Sequence, residues 1–275
     1  MLVTLKEILE IAQNSKTAVG SFNTPNMTSV LSVIGAAGKL SQPVILMHAE
    51  VHEEMGLCKM EDILPVMLHF AKKATVPVCV HLDHGTDLDY VKRGLALGFT
   101  SVMYDGSTLS EEENTANTKK IVAAAQKSGA SVEAEIGSMG AREGGGTGDT
   151  SVYTEPDAAK RFAENTRIDA LACAFGTAHG FYLKKPKLDF ERLSKIDSLV
   201  NAPIVMHGGS GVSTDDYREV IRRGVRKINY YTYMAKAGGA AISNKEYAQF
   251  HDAIKDAQAA MQNDVEKAIR VFSGL

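Results

Sequence analysis

The stretch His81-Leu82-Asp83-His84-Gly85 directly follows Val76-Pro77-Val78-Cys79-Val80, an apolar and β-branched run that predicts a buried strand. Burying ionisable side chains without partners is costly, so this cluster does not suit the middle of a strand. At the C-terminal end of a strand that opens into a cleft, the same side chains suit chemistry. Alternation along the strand directs Asp83 and His84 to roughly opposite sides. We expect an acid and a metal-type ligand to meet at one edge of a sheet.

Strand-like and helix-like segments alternate along the whole sequence. The strand-like runs are Ala18–Ser21, Val44–Met47, Val78–Val80, Ser101–Tyr104, Val132–Glu135, Ala170–Ala174, Ile204–Met206 and Lys227–Asn229. The helix-like stretches lie near Thr28–Leu40, Met60–Ala74, Leu88–Leu97, Glu111–Ser128, Glu155–Glu164, Phe190–Leu199 and Thr214–Arg223, with Leu5–Ala12 before them and Tyr247–Phe272 after them. This alternation predicts an α/β fold in which the strands close into a parallel barrel, the (β/α)8 or TIM barrel. An open doubly wound sheet is the alternative, but no Gly-x-Gly-x-x-Gly follows the first strand, which argues against a dinucleotide fold.

The length and composition fit one barrel domain. We expect residues 1–275 to form a single unit with a helical tail from about residue 239 to residue 275. The formal net charge of −3 gives no general attraction to nucleic acid. We predict no membrane segment, because the N-terminus lacks a signal pattern and no apolar run is long enough. Three widely spaced cysteines indicate reduced thiols and a cytoplasmic protein.

Three histidines follow strand-like runs and suggest a metal site. His84 follows the third run, His179 the sixth and His207 the seventh. Three imidazoles at strand ends resemble an open tridentate zinc site, in which the metal acts as a Lewis acid on a carbonyl or alkoxide. The alternative is three independent structural histidines. Asp83 would either orient an imidazole or act as a general acid or base.

Polar residues follow the other strands as well. In a barrel all the strand ends converge on one rim, where the active site forms. Besides the three histidines, the residues that this rule brings together are Asn23, Asp83, Asp105, Glu135, Asn229 and Thr232.

Glycine-rich loops give a further signal. Gly208-Gly209-Ser210-Gly211 follows His207, and Asn229–Thr232 follows the last strand. Loops in these positions often bind phosphate through backbone N–H groups and hydroxyls, although ordinary tight turns are the alternative. The glycine-rich segment Gly137–Gly148 predicts a mobile loop that carries Glu143 over a bound ligand, with a solvated flexible loop as the alternative.

Six motifs, in order, resemble the zinc-dependent class II ketose-bisphosphate aldolases. They are His81–Gly85, Ser101–Ser107, Ser131–Gly137, Gly176–Gly180, His207–Gly211 and Lys227–Asn229. Glu155–Phe162 and Lys185–Phe190 are most similar to the tagatose-bisphosphate aldolase branch, beside the fructose-bisphosphate aldolases. The likeness extends from about Leu5 to Thr232.

The resemblance implies a role for each matching residue. Asp83 matches the proton donor, and Glu143 matches a mobile-loop carboxylate that exchanges a proton with the bound triose. His84, His179 and His207 match the zinc ligands, and Asp105 and Glu135 match a secondary metal site. The residues that match contacts to dihydroxyacetone phosphate are Gly180, Gly208, Gly209, Ser210, Asn229 and Thr232, to which the rim residue Asn23 is added.

The resemblance also implies cofactors, partners and a reaction. They are Zn²⁺, often with a monovalent cation (Na⁺ or K⁺), a phosphorylated sugar substrate, and assembly as a homodimer or homotetramer. The predicted reaction is reversible cleavage of tagatose or fructose 1,6-bisphosphate to dihydroxyacetone phosphate and an aldehyde. Departures at Ala49, Gly144 and Tyr231, and the lack of a placeable arginine, keep a sulfonated or dehydro-deoxy sugar phosphate open as the substrate. A barrel metal hydrolase and a non-catalytic phosphosugar-binding barrel are rival functions.

Overall fold

The computed structural model describes residues 1–137, 153–178, 180 and 185–275. Their strands are β1 (Leu2–Val3), β2 (Val19–Asn23), β3 (Val44–Ala49), β4 (Val78–Gly85), β5 (Ser101–Tyr104), β6 (Ser131–Ile136), β7 (Ala170–Cys173), β8 (Ile204–Met206) and β9 (Val225–Tyr230). Strands β2 to β9 pair in parallel with their neighbours in chain order, and the β2–β9 pairing closes the ring. The predicted (β/α)8 barrel is confirmed, and the open sheet is wrong.

Helices lie between the strands and after the last one. They are α1 (Leu5–Ser15), α2 (Met27–Leu40), α3 (Glu50–Glu54), α4 (Met60–Lys73), α5 (Leu88–Leu97), α6 (Glu111–Ser128), α7 (Pro156–Thr166), α8 (Phe190–Leu199), α9 (Thr214–Arg222), α10 (Thr232–Ile242) and α11 (Phe250–Ser273). The predicted bounds of α5, α6 and α8 are confirmed to the residue, and those of α1, α2, α4, α7, α9 and α11 are wrong by one to three residues at one or both ends.

Local capping explains why the predicted ends of α5 are correct. The Asp87 side chain accepts hydrogen bonds from the backbone N–H groups of Asp89 and Tyr90, which starts α5. The helix ends at Gly98, whose φ of 109° is the left-handed conformation that glycine adopts without steric cost.

Alternate residues of each strand face opposite sides of the barrel wall. On β3, for example, Val44 and Leu46 belong to the outer core between sheet and helices, whereas Ile45 and Met47 belong to the inner core. Helix α1 contributes apolar side chains to that inner core and contacts four strands. It closes the end of the barrel where the strands begin, so the opposite end, called the rim here, is left for the site.

The predicted C-terminal tail packs against the barrel. Helix α11 contacts α2, α10 and β2, and its residues Val265, Ile269 and Phe272 are buried in the outer core. Among the described residues, no helix combines the length and the apolar character that crossing a membrane requires.

Candidate active site

A bulge at the end of β4 brings Asp83 and His84 together. The pairing of β4 with β5 shifts register between Leu82 and Gly85, and His84 has a φ of 46°. Bulges often redirect side chains beside active sites. His84 therefore turns back to the rim that Asp83 faces, and the prediction of opposite directions from strict alternation is wrong.

His84 is oriented by an acid on the neighbouring strand. Its Nδ1 lies 2.8 Å from Oδ2 of Asp105, which directly follows β5. The other oxygen of Asp105 accepts hydrogen bonds from the hydroxyl and the backbone N–H of Ser107, at 2.6 and 3.1 Å. Nδ1 of His84 therefore donates a hydrogen bond to the carboxylate, and Nε2 on the other side of the ring faces the middle of the rim.

His207 meets His84 from across the barrel. Its Nδ1 lies 2.7 Å from Nε2 of His84, and its Nε2 lies 2.8 Å from Oε1 of Glu133. In each imidazole, one nitrogen is therefore hydrogen-bonded to a carboxylate and the other faces the second imidazole ring. This is the usual arrangement of histidine ligands, whose second nitrogen donates to a carboxylate.

The donor atoms at the rim fit a divalent metal. One possible ligand atom each from Asp83, His84 and His207 lies within 4.8 Å of the others, and the same holds for His84, Asp105 and Glu135. Imidazole nitrogens with carboxylate oxygens are the donors that zinc takes. The structure brings together the described members of both predicted metal sites, and their roles as ligands stay predictions.

The electrostatics of the rim couple these groups. Burial opposes a charge on His84, but Asp83, Asp105 and Glu135 outweigh it and raise its pKa to about 10. Burial likewise opposes ionisation of Asp83, yet nearby groups, first of all the positively charged His84, hold its pKa well below the usual value. Burial and the charge of His84 lower the pKa of His207. Without a metal, a single proton therefore lies between Nε2 of His84 and Nδ1 of His207, and it is bonded to His84.

The loops predicted to bind phosphate are joined to each other and to Asp83. The backbone N–H of Gly209 donates to the carbonyl of Asn229 at 3.0 Å, and Ser210 Oγ accepts from the backbone N–H of Tyr231 at 3.1 Å. The side-chain amide of Asn229 donates to Asp83 Oδ1 at 3.1 Å.

The predicted substrate residues surround the same rim. Thr232 is the first residue of α10, so the loop after β9 leads into a helix N-terminus, a favourable place for an anion. Asn23 ends β2 at the rim and is buried. Gly180 has a φ of 91°. The predicted residues His179 and Glu143 lie outside the described residues.

Sequence reasoning missed the charged groups directly beneath the rim. Glu133 and Lys227 are fully buried and their charged atoms lie 2.8 Å apart. The signal was available, since Glu133 and Glu135 lie two positions apart on β6 and therefore face the same side.

Comparisons with known proteins identify the family of this chain. The family model described as "Fructose-bisphosphate aldolase class-II" matches residues 3–274. The YdjI aldolase from Escherichia coli K12 is 32% identical with a TM-score of 0.89, over 99% of this chain and 97% of its own. A Coccidioides immitis protein provisionally assigned as a fructose-1,6-bisphosphate aldolase is 28% identical, with a TM-score of 0.88 over 98% and 95% of the two chains.

A more distant structure has the same fold. Fructose-bisphosphate aldolase from Campylobacter jejuni is 22% identical, with a TM-score of 0.79 over 98% of this chain and 95% of that one. The family model covers nearly the whole sequence, and the donor set at the rim is chemically consistent with it. The chain belongs to the class II fructose-bisphosphate aldolase family and is an aldolase, a carbon–carbon lyase.

Proposed function

We propose that the protein is a zinc-dependent aldolase that reversibly cleaves a phosphorylated ketose into dihydroxyacetone phosphate and an aldehyde. Class II aldolases are metal-dependent, and zinc is the metal that the imidazole-rich donor set fits best. The observation that carries the proposal is the position of Asp83, a buried carboxylate beside the facing nitrogens of His84 and His207.

His84, His179 and His207 would hold the metal, with Asp105 and Glu135 as a secondary site. A zinc ion held there would draw electron density from the C2 carbonyl oxygen of the ketose and so favour cleavage of the C3–C4 bond. Asp83 takes the proton of the C4 hydroxyl, the C3–C4 bond breaks, and C4 leaves as the aldehyde carbon. Glu143 then returns a proton to C3, which completes dihydroxyacetone phosphate.

The hydrogen bond from Asn229 supports the role of Asp83 as the base. It occupies Oδ1 and fixes the plane of the carboxylate, so that Oδ2 is the oxygen to receive the proton. The phosphate of the triose half would bind to backbone N–H groups of Gly208–Ser210 and the N-terminus of α10, with Asn23 and Gly180 nearby and a monovalent cation (Na⁺ or K⁺) as a counter-charge.

The aldehyde half of the substrate is the open part of the proposal. Tagatose or fructose 1,6-bisphosphate is the first candidate. Ala49 ends β3 at the rim and is buried, and nearby His52 packs against Tyr231 with ring centroids 5.4 Å apart. Because Ala49 has no hydroxyl to offer a second phosphate, a sugar phosphate with a different C6 group, sulfonated or dehydro-deoxy, is the second candidate. Membership in a lyase family disfavours the metal hydrolase and the non-catalytic barrel.

Assembly and location complete the proposal. We propose a homodimer or homotetramer that acts on a small phosphorylated sugar, without nucleic acid or membrane as a partner. A cytoplasmic location is supported by the state of Cys58, Cys79 and Cys173, which are all free thiols.

The test is a substrate panel with dihydroxyacetone phosphate as the readout. Ketose 1-phosphates and 1,6-bisphosphates that differ only in C4 stereochemistry and in the C6 substituent are compared at equal concentration. We expect triose phosphate from at least one bisphosphate, and its absence with the entire panel would contradict the proposal. His207→Ala should lose bound metal and turnover together, whereas His251→Ala, which changes an exposed histidine of α11, should lose neither.

A further inference from the structure

A buried charged layer lies directly beneath the proposed metal site. Lys227 Nζ is 2.8 Å from Glu133 Oε2, and His81 Nε2 is 3.7 Å from the same oxygen. The side chains of all three residues are fully buried. The proposed cleavage mechanism uses none of them, and the corresponding layers of such barrels are usually filled by branched aliphatic side chains.

Stability alone does not explain this layer. The free energy needed to remove two charges from water is about as large as the free energy gained from their attraction. A buried ion pair is therefore weak evidence for stability. The carboxylate of Glu133, however, makes a second contact. Its Oε1 accepts a hydrogen bond from His207 Nε2 at 2.8 Å, while Oε2 faces Lys227.

That second contact determines where the proton of His207 resides. An ionised carboxylate only accepts hydrogen bonds, so Nε2 of His207 must carry the proton. The other nitrogen, Nδ1, then presents a lone pair toward Nε2 of His84, 2.7 Å away. Only a nitrogen with a free lone pair can bind a metal, so this tautomer is the one that a ligand needs.

We propose that Glu133 and Lys227 act as one positioning unit, in which Lys227 holds the carboxylate of Glu133 in place and Glu133 fixes the metal-binding tautomer of His207. The inference rests on the proposed metal site and assigns it two residues that touch neither substrate nor metal. Lys227 is needed because its ammonium group holds Oε2 of Glu133, which leaves Oε1 directed at Nε2 of His207.

Two variants separate positioning from a merely structural role. Lys227→Met removes the positive charge and leaves Glu133 as a buried, unpaired acid. The double variant Glu133→Leu/Lys227→Met removes both charges with little change in side-chain size, and it leaves no acceptor at position 133 to hold the proton of His207 on Nε2. Purified metal-free proteins are titrated with Co²⁺ as the probe, and the visible absorption spectrum, the dissociation constant and the melting temperature are recorded.

We expect the melting temperature and the Co²⁺ affinity to respond differently to the two variants. Lys227→Met should melt below the wild type, and the double variant should melt above Lys227→Met because no unpaired charge remains. The double variant should nevertheless bind Co²⁺ about 10–100-fold more weakly than the wild type, with an altered spectrum. A double variant that binds Co²⁺ with wild-type affinity and spectrum would overturn the inference, as would affinities that simply follow the melting temperatures.

The wild-type protein provides a measurement that does not depend on the folding of variants. In metal-free protein labelled with ¹⁵N-histidine, NMR should find the proton of His207 on Nε2, and a proton on Nδ1 alone would contradict the inference. If wild-type protein fails to bind Co²⁺ at all, the proposed metal site fails and this inference with it. If it binds and only the variant results disagree, the positioning unit alone is wrong.

Discussion

The surroundings of Asp83 suit it to accept a proton from a bound substrate. It is buried, its Oδ1 accepts a hydrogen bond from Asn229, and the neighbouring positive charges hold its pKa well below the usual value. A carboxylate that stays ionised in this place is ready to accept a proton from a bound hydroxyl.

Replacement of that carboxylate should slow cleavage without releasing the metal. We expect Asp83→Asn to lower kcat by roughly 10²–10⁴-fold, because an amide of the same shape cannot take the proton. Turnover is measured as triose phosphate formation, and bound metal is quantified in the same preparation. Asp89→Asn, which changes an acid whose side chain is 88% exposed, serves as the control. An unchanged kcat in Asp83→Asn would show that the proton goes elsewhere.

His52 shows the opposite situation, a polar side chain without a polar partner. It is fully buried, and within the part of the chain that the structure describes neither of its ring nitrogens has a hydrogen-bond partner. Burial lowers its pKa to about 4, so the ring is neutral at pH 7. His81 is equally buried but has a partner, since its Nδ1 lies 2.8 Å from Ser101 Oγ.

The two histidines should therefore respond differently to the same substitution. We expect His52→Leu to leave the free energy of unfolding unchanged or to raise it by about 1 kcal/mol, because an unsatisfied polar group is replaced by an apolar one of similar volume. His81→Leu should lower it by roughly 1–3 kcal/mol, because Ser101 loses its partner. Urea denaturation measures both. A larger loss in His52→Leu than in His81→Leu would contradict the argument.

At the scale of elements, the strands and most helices could be predicted because their signals are local. Short β-branched runs indicate buried strands, and Asp87 and Gly98 define the ends of α5 by capping and backbone geometry alone. Helix α10 could not be predicted in this way. It contains Gly238 and Gly239, which disfavour a helix, and it forms because it packs against α11, where Gly238 approaches Met261 closely.

The direction of His84 could not be predicted for a similar reason. Alternation is a property of regular strands, whereas a non-glycine residue with positive φ depends on tertiary contacts that hold it there. In this protein those contacts are Asp105 and His207, which lie 21 and 123 positions away in sequence. The sequence predicted which histidines act as ligands, but only the fold shows how His84 and His207 face each other.

The loop after β8 gives a test of backbone geometry at the element scale. Gly208 has a φ of 62°, and a Cβ atom there would lie 2.2 Å from the backbone carbonyl oxygen of Ala178. Gly129 has a similar φ of 70°, but a Cβ atom there would meet nothing within 4 Å. Both glycines therefore adopt the left-handed backbone conformation, but only at Gly208 would a Cβ atom clash with a neighbouring residue.

Alanine at the two positions should separate those effects. Gly129→Ala should cost about 1 kcal/mol of unfolding free energy, from the left-handed backbone alone, and leave KM unchanged. Gly208→Ala should cost more and raise KM for the phosphorylated substrate, because the loop must move away from Ala178. Urea denaturation and steady-state kinetics measure the two quantities. Equal effects of the two substitutions would contradict the role of the clash.

At the scale of the whole molecule, the barrel interior is arranged in layers. Helix α1 and apolar strand residues fill the closed end, the Glu133–Lys227 pair lies above them, and the histidines and acids lie at the rim. The alternation of strands and helices in the sequence was enough to predict that distant polar residues converge. The charge balance between the layers could not be predicted, because it depends on which side chains face each other across the barrel.

This arrangement makes the stability of the metal-free protein depend on pH in a defined direction. His84 has its pKa raised from 6.5 to about 10, so its contribution is fully present below pH 6.5 and is lost as pH rises toward 10. The lowered pKa values of the buried His48, His52, His81 and His207 act in the opposite sense, but their contribution is nearly complete by pH 7.5. We therefore expect the unfolding free energy of metal-free protein to fall by roughly 1–3 kcal/mol between pH 7.5 and 9. Burial raises the pKa of Cys58 and Cys79 to about 11 and 12, so ionisation of these thiols in the unfolded state adds a smaller loss of the same sign near pH 9.

Urea denaturation at each pH, with and without saturating Zn²⁺, provides the measurement. Zinc should reduce the loss, because a metal ligand has already given up its proton and metal binding becomes tighter as pH rises. His84→Ala should flatten the profile of the metal-free protein, whereas His251→Ala, with its exposed side chain, should reproduce the wild-type slope. If the wild-type profile without metal is flat or rises over this range, the charge that we assign to His84 is wrong.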